Sequence, residues 1–177
     1  MIIETTPIEG LLVVKPDVFG DSRGYFQETW NKNKYAENGL SVDFTQDNLS
    51  YSTKGILRGL HFQRPNPQGK LVYVPYGEVY DVAVDVRYDS PTFGKWYGIF
   101  LSDKNHYQLY IPEGFAHGFC VVSETALFAY KCSGSYSPRD EHSIIWNDPD
   151  IGIDWPISNP ILSKKDTVGL LLSDFTK

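Results

Sequence analysis

The sequence has few of the features that mark disulfide-rich, zinc-binding or nucleic-acid-binding proteins. Cysteine is limited to Cys120 and Cys132, and their spacing is not that of a zinc site. Both lie in apolar, strand-like stretches, so we expect reduced thiols that pack in the core. No run of lysine or arginine is present and the formal net charge is -6, which argues against binding to nucleic acid.

Signals for secretion and membrane insertion are also missing. Residues 1–7 carry the acidic Glu4 where a signal peptide would be basic, and they contain no apolar core. No apolar run is long enough to span a bilayer. We therefore expect a cytoplasmic protein that has no membrane partner.

Aromatic residues, in contrast, are abundant and favour strands. The chain of 177 residues has 12 Tyr, 10 Phe and 4 Trp against a single Met, and pleated sheets accommodate aromatic side chains well. A chain of this length can bury a substantial core as one domain. No linker, repeat or low-complexity segment divides it. We predict a single domain over residues 1–177.

Short strand-like segments at hairpin spacing run through the chain. In the segment 78–87, aromatic and valine side chains alternate with a face that carries two carboxylates, Asp81 and Asp85. One short helix is expected at 31–38, ended by Gly39. The predicted strands are 11–15 and 25–30, which we expect to pair across the turn 20–24, and 70–76, 78–87, 96–101, 107–111, 119–122, 127–131 and 143–146. This pattern predicts an all-β sandwich or jelly roll.

Residues 58–63 (RGLHFQ) and 68–70 (QGK) combine a possible base with two cations. A neutral imidazole such as that of His61 can remove a proton near pH 7, and Arg58 and Lys70 can hold anionic groups beside it. These groups suit an enzyme that acts on an acidic carbon next to a carbonyl. A histidine between apolar neighbours is equally common as a hydrogen-bonded core residue, so the segment alone leaves both roles open.

A metal site is disfavoured by the histidine spacing. Position 63, two after His61, is glutamine, so the His-x-His pair of many metal-binding β-barrels is missing, and no close ligand spacing joins His106, His117 and His142. The segment 111–119 (IPEGFAHGF) places His117 between glycines that would let a ligand or another backbone approach closely. P-loop, dinucleotide-binding and Gly-x-Ser-x-Gly patterns are also missing.

The C-terminal part contains a candidate helix start. Residues 163–166 (SKKD) place Ser163 to cap the helix and Asp166 to supply the acid of a capping box. Asp166 therefore has a structural role available to it, whatever else it does.

Six segments together resemble the dTDP-4-dehydrorhamnose 3,5-epimerase family: 58–63, 68–70, 81–85, 111–119, 130–131 and 146–156. The match runs in register from about residue 10 to about residue 166, and so many ordered motifs do not coincide by chance. The resemblance implies a cupin-like jelly-roll barrel with short flanking helices, which uses neither a metal nor a cofactor. It also implies a homodimer in which residues of the partner complete each site.

The resemblance also assigns roles to individual residues. Four of them would act on the sugar: His61 as general base, Tyr130 as proton donor, Asp166 as the carboxylate that orients the histidine, and Lys70 as the cation over the keto oxygen. The family's contacts to the nucleotide, diphosphate or sugar fall on Arg23, Phe26, Glu28, Gln46, Asn48, Arg58, His117, Tyr136, Glu141 and Lys165.

The implied reaction belongs to dTDP-L-rhamnose biosynthesis and converts dTDP-4-dehydro-6-deoxy-D-glucose to dTDP-4-dehydro-L-rhamnose. A ketone at C4 acidifies the hydrogens at C3 and C5, so a base can remove either proton and an acid can return one to the opposite face. Substrates of this kind are dTDP-4-dehydro-6-deoxyhexoses. We expect such a substrate for this chain.

Alternatives to this reaction stay open at the level of sequence. A single-site 3- or 5-epimerase and a 3,4-ketoisomerase share the barrel and the kind of substrate. A metal-dependent cupin oxygenase would need three or more converging ligands. A non-catalytic sugar-nucleotide binding module would not need both His61 and Tyr130.

One geometric conflict accompanies these roles. Strict alternation along a strand puts Arg58 and His61 on opposite faces, although both are expected to serve one site. A bulge at Gly59, or a diphosphate that reaches round the edge of the strand, would resolve the conflict.

Overall fold

Antiparallel strands form most of the regular structure in residues 1–175, the part of the chain that this computed structural model describes. The strands are β1 (Ile2–Thr5), β2 (Leu12–Lys15), β3 (Val18–Asp21), β4 (Gly24–Gln27), β5 (Gln46–Thr53), β6 (Leu57–Gln63), β7 (Lys70–Tyr76), β8 (Glu78–Asp85), β9 (Trp96–Ser102), β10 (Gln108–Ile111), β11 (Phe115–Val121), β12 (Thr125–Cys132) and β13 (Glu141–Ser143).

Three short helices flank these strands. The helix α1 (Lys32–Glu37) begins after Asn31, whose side chain accepts a hydrogen bond from the backbone N–H of Lys34. The two others are 3₁₀ helices, Asp166–Val168 and Leu172–Phe175. No helix within residues 1–175 is long and apolar enough to cross a membrane.

Two large sheets face each other. The first has six strands in the order β1-β2-β10-β7-β12-β5, and the second has five in the order β13-β6-β11-β8-β9. Side chains from both sheets build the main core between them, among them Val72 and Phe128 of the first sheet and Val79, Phe115 and Phe119 of the second. This arrangement confirms the predicted all-β class and agrees with a cupin-like jelly roll with short flanking helices.

The first predicted hairpin was wrong in its pairing. The segment 11–15 does form a strand, but β2 pairs with β1 and β10 in the first sheet. β4 pairs instead with β3, which was not predicted, across a turn in which Asp21 Oδ1 accepts from the backbone N–H of Arg23. Pro16 lacks the N–H that continued pairing requires, so β2 ends there and β3 starts a new ladder.

A bulge at Gly59 resolves the conflict over the faces of β6 on which Arg58 and His61 lie. His61 pairs with His117 in the ladder between β6 and β11, but Arg58 pairs with Phe119, so the register shifts by one residue between them. Gly59 has a φ of +121°, and a Cβ there would lie 2.5 Å from the Cα of Gly118. Only glycine fits this close approach, and the bulge lets Arg58 and His61 both reach toward the first sheet.

Candidate active site

A cavity of about 380 Å³ opens between the two sheets. We call it the site cavity. Its walls come from β5, β7 and β12 on one side and from β6, β11 and β13 on the other. The lining residues are Gln46, Asn48, His61, Phe62, Gln63, Pro67, Gln68, Lys70, Gly114, Phe115, Tyr130, Cys132, Tyr136 and Glu141.

His61 and Asp166 form a close pair at this cavity. The Nε2 atom of His61 lies 2.6 Å from Oδ1 of Asp166, a residue that is only 3% exposed. Burial opposes ionisation of this carboxyl, but hydrogen bonds from His61 and Ser163 outweigh it and lower the pKa of Asp166. An ionised Asp166 accepts the Nε2 proton, which leaves Nδ1 of His61 as the basic nitrogen.

Asp166 also bonds to Ser163, but the predicted capping box does not form, because the 3₁₀ helix begins only at Asp166 and its N-cap residue, Lys165, makes no side-chain capping hydrogen bond. The backbone N–H of Asp166 donates to Ser163 Oγ over 3.2 Å, and Ser163 Oγ donates to Asp166 Oδ2 over 2.7 Å. The contacts of Asp166 with Ser163 and with His61 therefore involve different oxygens of one carboxylate. Ser163 donates to Oδ2, and Oδ1 contacts the imidazole of His61.

Lys70 and Tyr130 lie across the cavity from His61, on neighbouring strands of the first sheet. Burial lowers the pKa of Lys70, against the opposing pull of Cys132, Asp81 and Glu141. Burial raises the pKa of Tyr130, so its hydroxyl keeps its proton at neutral pH. The pair thus offers a cation and a proton donor in a partly desolvated space.

Several predicted binding residues lie at the same cavity. Gln46 and Asn48 are adjacent on the inner face of β5, where Gln46 Nε2 donates to Asn48 Oδ1 over 2.9 Å. At the opposite wall, Tyr136 donates its hydroxyl hydrogen to Glu141 Oε2 over 2.8 Å. Glu141 also forms an ion pair with Lys165, which lies beside Asp166 in the chain.

Arg58 lies close to these groups, on β6. Its Nε donates to Ser52 Oγ of β5 over 3.1 Å, and its charge acts on the Tyr130 hydroxyl. The side chain is exposed. It can therefore receive an anionic group at the edge of the cavity.

His117 occupies a deeper position than a simple binding residue would. It is 7% exposed, its ring stacks on Phe128 with centroids 5.9 Å apart, and its Nε2 lies 2.9 Å from Asp81 Oδ2. Burial lowers the pKa of His117 despite the neighbouring carboxylate, which favours the neutral ring. The His117 side chain does not line the cavity but lies behind it, near His61 and Lys70.

Three predicted binding residues do not reach the site cavity of their own chain. Arg23 and Phe26 lie on or next to the hairpin β3–β4, where Arg23 is exposed and paired with Asp21. Glu28 follows β4 and contacts Asn31 and Lys34 at the start of α1. Phe26 is 67% exposed, which is high for a large aromatic side chain.

Sequence reasoning did not single out other parts of the lining. Phe62 and Gln63 follow His61 directly in the RGLHFQ segment, so their position in the strand could have identified them as lining residues. Cys120 and Cys132 are free and buried, as predicted, but Cys132 also lines the cavity. It lies two residues after Tyr130 on the same face of β12, a spacing that could have identified it.

Within residues 1–175, no three His, Cys, Asp or Glu side chains lie together in a group that could hold a metal ion. His61 and His117 are each paired with a carboxylate instead. The chemical groups of the cavity are thus a base, a cation and a phenol.

A model of the family described as dTDP-4-dehydrorhamnose 3,5-epimerase matches residues 5–174, nearly the whole chain. The chain belongs to this epimerase family. Its members are isomerases, and the resemblance inferred from the motifs is confirmed.

Individual members of the epimerase family are similar over most of their length. The dTDP-4-dehydrorhamnose 3,5-epimerase of Salmonella typhimurium is 55% identical over 97% of this chain and 96% of its own. A dTDP-6-deoxy-D-glucose-3,5-epimerase from Legionella pneumophila, solved with dTDP-4-keto-L-rhamnose, has a TM-score of 0.93 at 50% identity, covering 97% of this chain and 92% of its own. A dTDP-4-dehydrorhamnose 3-epimerase of Streptomyces niveus is 41% identical over 94% of this chain and 82% of its own.

Proposed function

We propose that this protein is a dTDP-4-dehydrorhamnose 3,5-epimerase that converts dTDP-4-dehydro-6-deoxy-D-glucose to dTDP-4-dehydro-L-rhamnose. The observation that carries the proposal is the His61–Asp166 pair, which faces the half-buried Lys70 and a protonated tyrosine across one cavity. This set supplies what proton exchange next to a ketone requires. Membership of the epimerase family supports the same reaction.

In the first step, Nδ1 of neutral His61 removes a proton from carbon next to the C4 ketone. The C–H bond breaks, its electron pair moves into the ring, and the negative charge develops on the keto oxygen as an enolate. Lys70 provides a positive charge where that oxygen charge appears. Asp166 stabilises the imidazolium that forms and fixes the orientation of its ring.

In the second step, the enolate carbon takes a proton from the opposite face. Tyr130 is the donor we assign, because burial keeps its hydroxyl protonated until the enolate forms. The C–H bond forms, the ketone returns, and the tyrosinate regains a proton from solvent while His61 releases its own. The same pair of groups can act at C3 and at C5 if the sugar turns within the cavity.

Binding of the nucleotide depends on local cations, because the chain as a whole is acidic. Arg58 and Lys165 lie at the edge of the site cavity and can bind the diphosphate, with charge-assisted hydrogen bonds from the guanidinium. Gln46, Asn48, Tyr136 and Glu141 line the cavity and would hold the remaining parts of the substrate, whereas His117 lies behind it.

We also propose that the working unit is a homodimer of single-domain chains, in the cytoplasm. Arg23, Phe26 and Glu28 are distant from the site cavity of their own chain, yet the family motif assigns them to substrate. Exposed aromatic side chains on the hairpin β3–β4 and on β5, among them Phe26 and Tyr51, offer an apolar surface for a second copy. A dimer that carries the hairpin of one chain to the cavity of the other would satisfy both observations.

Product analysis by NMR tests the proposed reaction. Purified protein is incubated with dTDP-4-dehydro-6-deoxy-D-glucose, and proton couplings give the configuration at C3 and C5 of the product. Inversion at both carbons supports the proposal. Inversion at one carbon identifies a single-site epimerase, a carbonyl moved to C3 identifies a ketoisomerase, and the absence of any isomerised product contradicts an epimerase altogether.

A further inference from the structure

Asp81 is a buried carboxylate that the steps above do not use. It lies on β8 with 0% exposure, and Oδ2 is 2.9 Å from Nε2 of His117. Oδ1 is buried as well and has no hydrogen-bond partner among residues 1–175. A carboxylate oxygen left in this state costs free energy unless a nearby positive charge offsets it.

Lys70 is a cation that can supply this offset. The Asp81 carboxylate acts on the Lys70 ammonium through space and favours its charged form, against the effect of burial. The His117 ring lies close to both groups, since Lys70 and Asp81 influence its protonation in opposite directions. With His117 neutral, Lys70 is the cation that offsets the Asp81 carboxylate through space.

We propose that Asp81 is a positioning residue of the epimerase site, which holds Lys70 charged and fixes His117 as the neutral Nε2–H tautomer. This inference rests on the proposed function, because the enolate oxygen of that reaction is what a charged Lys70 would stabilise. Two histidine–carboxylate pairs then lie side by side, His61 with Asp166 and His117 with Asp81. The first moves the proton, and the second maintains the electrostatic field in which the proton moves.

The tautomer of His117 follows from the geometry. An ionised Asp81 accepts the Nε2 proton, so Nδ1 keeps its lone pair and the ring carries no charge. A charged His117 would place a second cation beside Lys70 and favour loss of the lysine proton. The buried carboxylate thus acts on Lys70 twice, directly and through the neutral histidine.

Asp81→Asn tests the inference, because it removes the charge and keeps the shape. We expect kcat to fall at least about tenfold with little change in dTDP affinity. Loss of the negative charge lowers the pKa of Lys70, so the alkaline limb of the kcat profile should move to lower pH by about one unit. The other titratable groups that act on Lys70 are Cys132 of β12, Glu141 of β13 and Lys165 of the C-terminal segment, and those that act on His117 are Lys70 and His61. All of them are unchanged in the variant.

Asp85→Asn is the matched control. Asp85 lies on the same face of the same strand and is equally buried, but its partners are Arg87, Ser90 and Thr92. This variant should lose stability and keep the alkaline limb of the wild-type protein. An Asp81→Asn variant that binds dTDP and leaves the alkaline limb in place would overturn the inference, as would equal shifts in both variants.

A measurement on the unaltered protein keeps the inference testable if Asp81→Asn does not fold. Nitrogen NMR of ¹⁵N-histidine-labelled protein, with His117→Gln to assign the signal, reports the tautomer directly. A neutral Nε2–H ring through pH 6 to 8 supports the proposal, and an Nδ1–H or charged ring contradicts it. Because this result does not depend on turnover, it separates a wrong role for Asp81 from a wrong reaction.

Discussion

At the scale of single residues, Asp166 shows how the structure decides between two interpretations of one side chain. The SKKD segment predicts a capping box, which does not form because the helix begins only at Asp166, but Ser163 Oγ does donate to Asp166 Oδ2. The family motif assigns the same residue to His61, and Oδ1 lies 2.6 Å from its Nε2. The two contacts support each other, because Ser163 fixes the carboxylate that in turn fixes the imidazole.

The resemblance to the family could name the base but not its surroundings. His61, Lys70 and Tyr130 were identified from motifs, and the structure brings all three to one cavity. The burial of His117 and its partner Asp81 could not be read from the chain, because their contact joins residues 36 positions apart. Such contacts are set by the register of β8 and β11, which short-range patterns do not encode.

At the scale of elements, Asp85 organises the loop that follows β8. Its carboxylate accepts from Arg87 Nε and Nη2 over 2.9 and 2.7 Å, and from Ser90 Oγ and Thr92 Oγ1 over 2.6 Å each. Burial opposes ionisation, yet these donors lower the pKa of Asp85 to about 2. The Arg87 guanidinium in turn lies over the ring of Phe115, a wall of the site cavity, 4.7 Å from its centroid.

We predict that Asp85→Asn lowers the free energy of unfolding at pH 7 by about 2 kcal/mol or more. The folded pKa lies below the unfolded value, so this stabilisation is present above about pH 4 and is lost as the pH falls toward 2. Urea unfolding at several pH values should therefore show the difference between variant and wild type narrowing in acid. Asp89→Asn, an exposed change in the same loop, should stay within about 0.5 kcal/mol of wild type at every pH. A difference in unfolding free energy between Asp85→Asn and wild type that stays constant down to pH 2 would contradict the lowered pKa of Asp85.

Most elements were predictable because their signals are local. The segment predicted over 70–76 coincides with β7, and α1 lies within the helix predicted over 31–38. The pairing of the segment 11–15 was not predictable, because β2 pairs with β1 and with β10, and β10 lies far along the chain. The bulge at Gly59 was offered as one of two possibilities, and its confirmation required the position of Gly118 on β11.

At the scale of the whole molecule, each of the two sheets contributes some of the residues proposed to act on the substrate. Lys70 and Tyr130 belong to the first sheet, and His61 belongs to the second. The hairpin β3–β4 belongs to neither, and pairs as a separate two-stranded sheet. This separation is the reason that we assign Arg23 to the cavity of a second copy.

Mixing two inactive variants tests the assignment of Arg23. In a dimer of Arg23→Ala with His61→Asn, one site carries both changes and the other carries neither. Random mixing in equal amounts should therefore restore about one quarter of the wild-type activity, measured at substrate concentrations below KM. Subunits are exchanged by unfolding and refolding the mixture.

A mixture of Lys70→Met with His61→Asn is the control, since both residues lie in the cavity of one chain. Neither site of that mixed dimer is intact, so no activity should return. If the Arg23→Ala mixture also stays inactive, Arg23 does not complete the site of a second copy.

The central claim is that His61 removes the proton and Tyr130 returns one on the opposite face, and an NMR time course in deuterated water tests it most directly. Tyr130→Phe keeps the ring but removes the donor, so His61 can still form the enolate and return deuterium to the same face. The account predicts that this variant retains deuterium incorporation at C3 and C5 while inversion falls by roughly 10²-fold or more. His61→Asn should lose both together. An unchanged ratio of exchange to inversion in Tyr130→Phe would contradict the account.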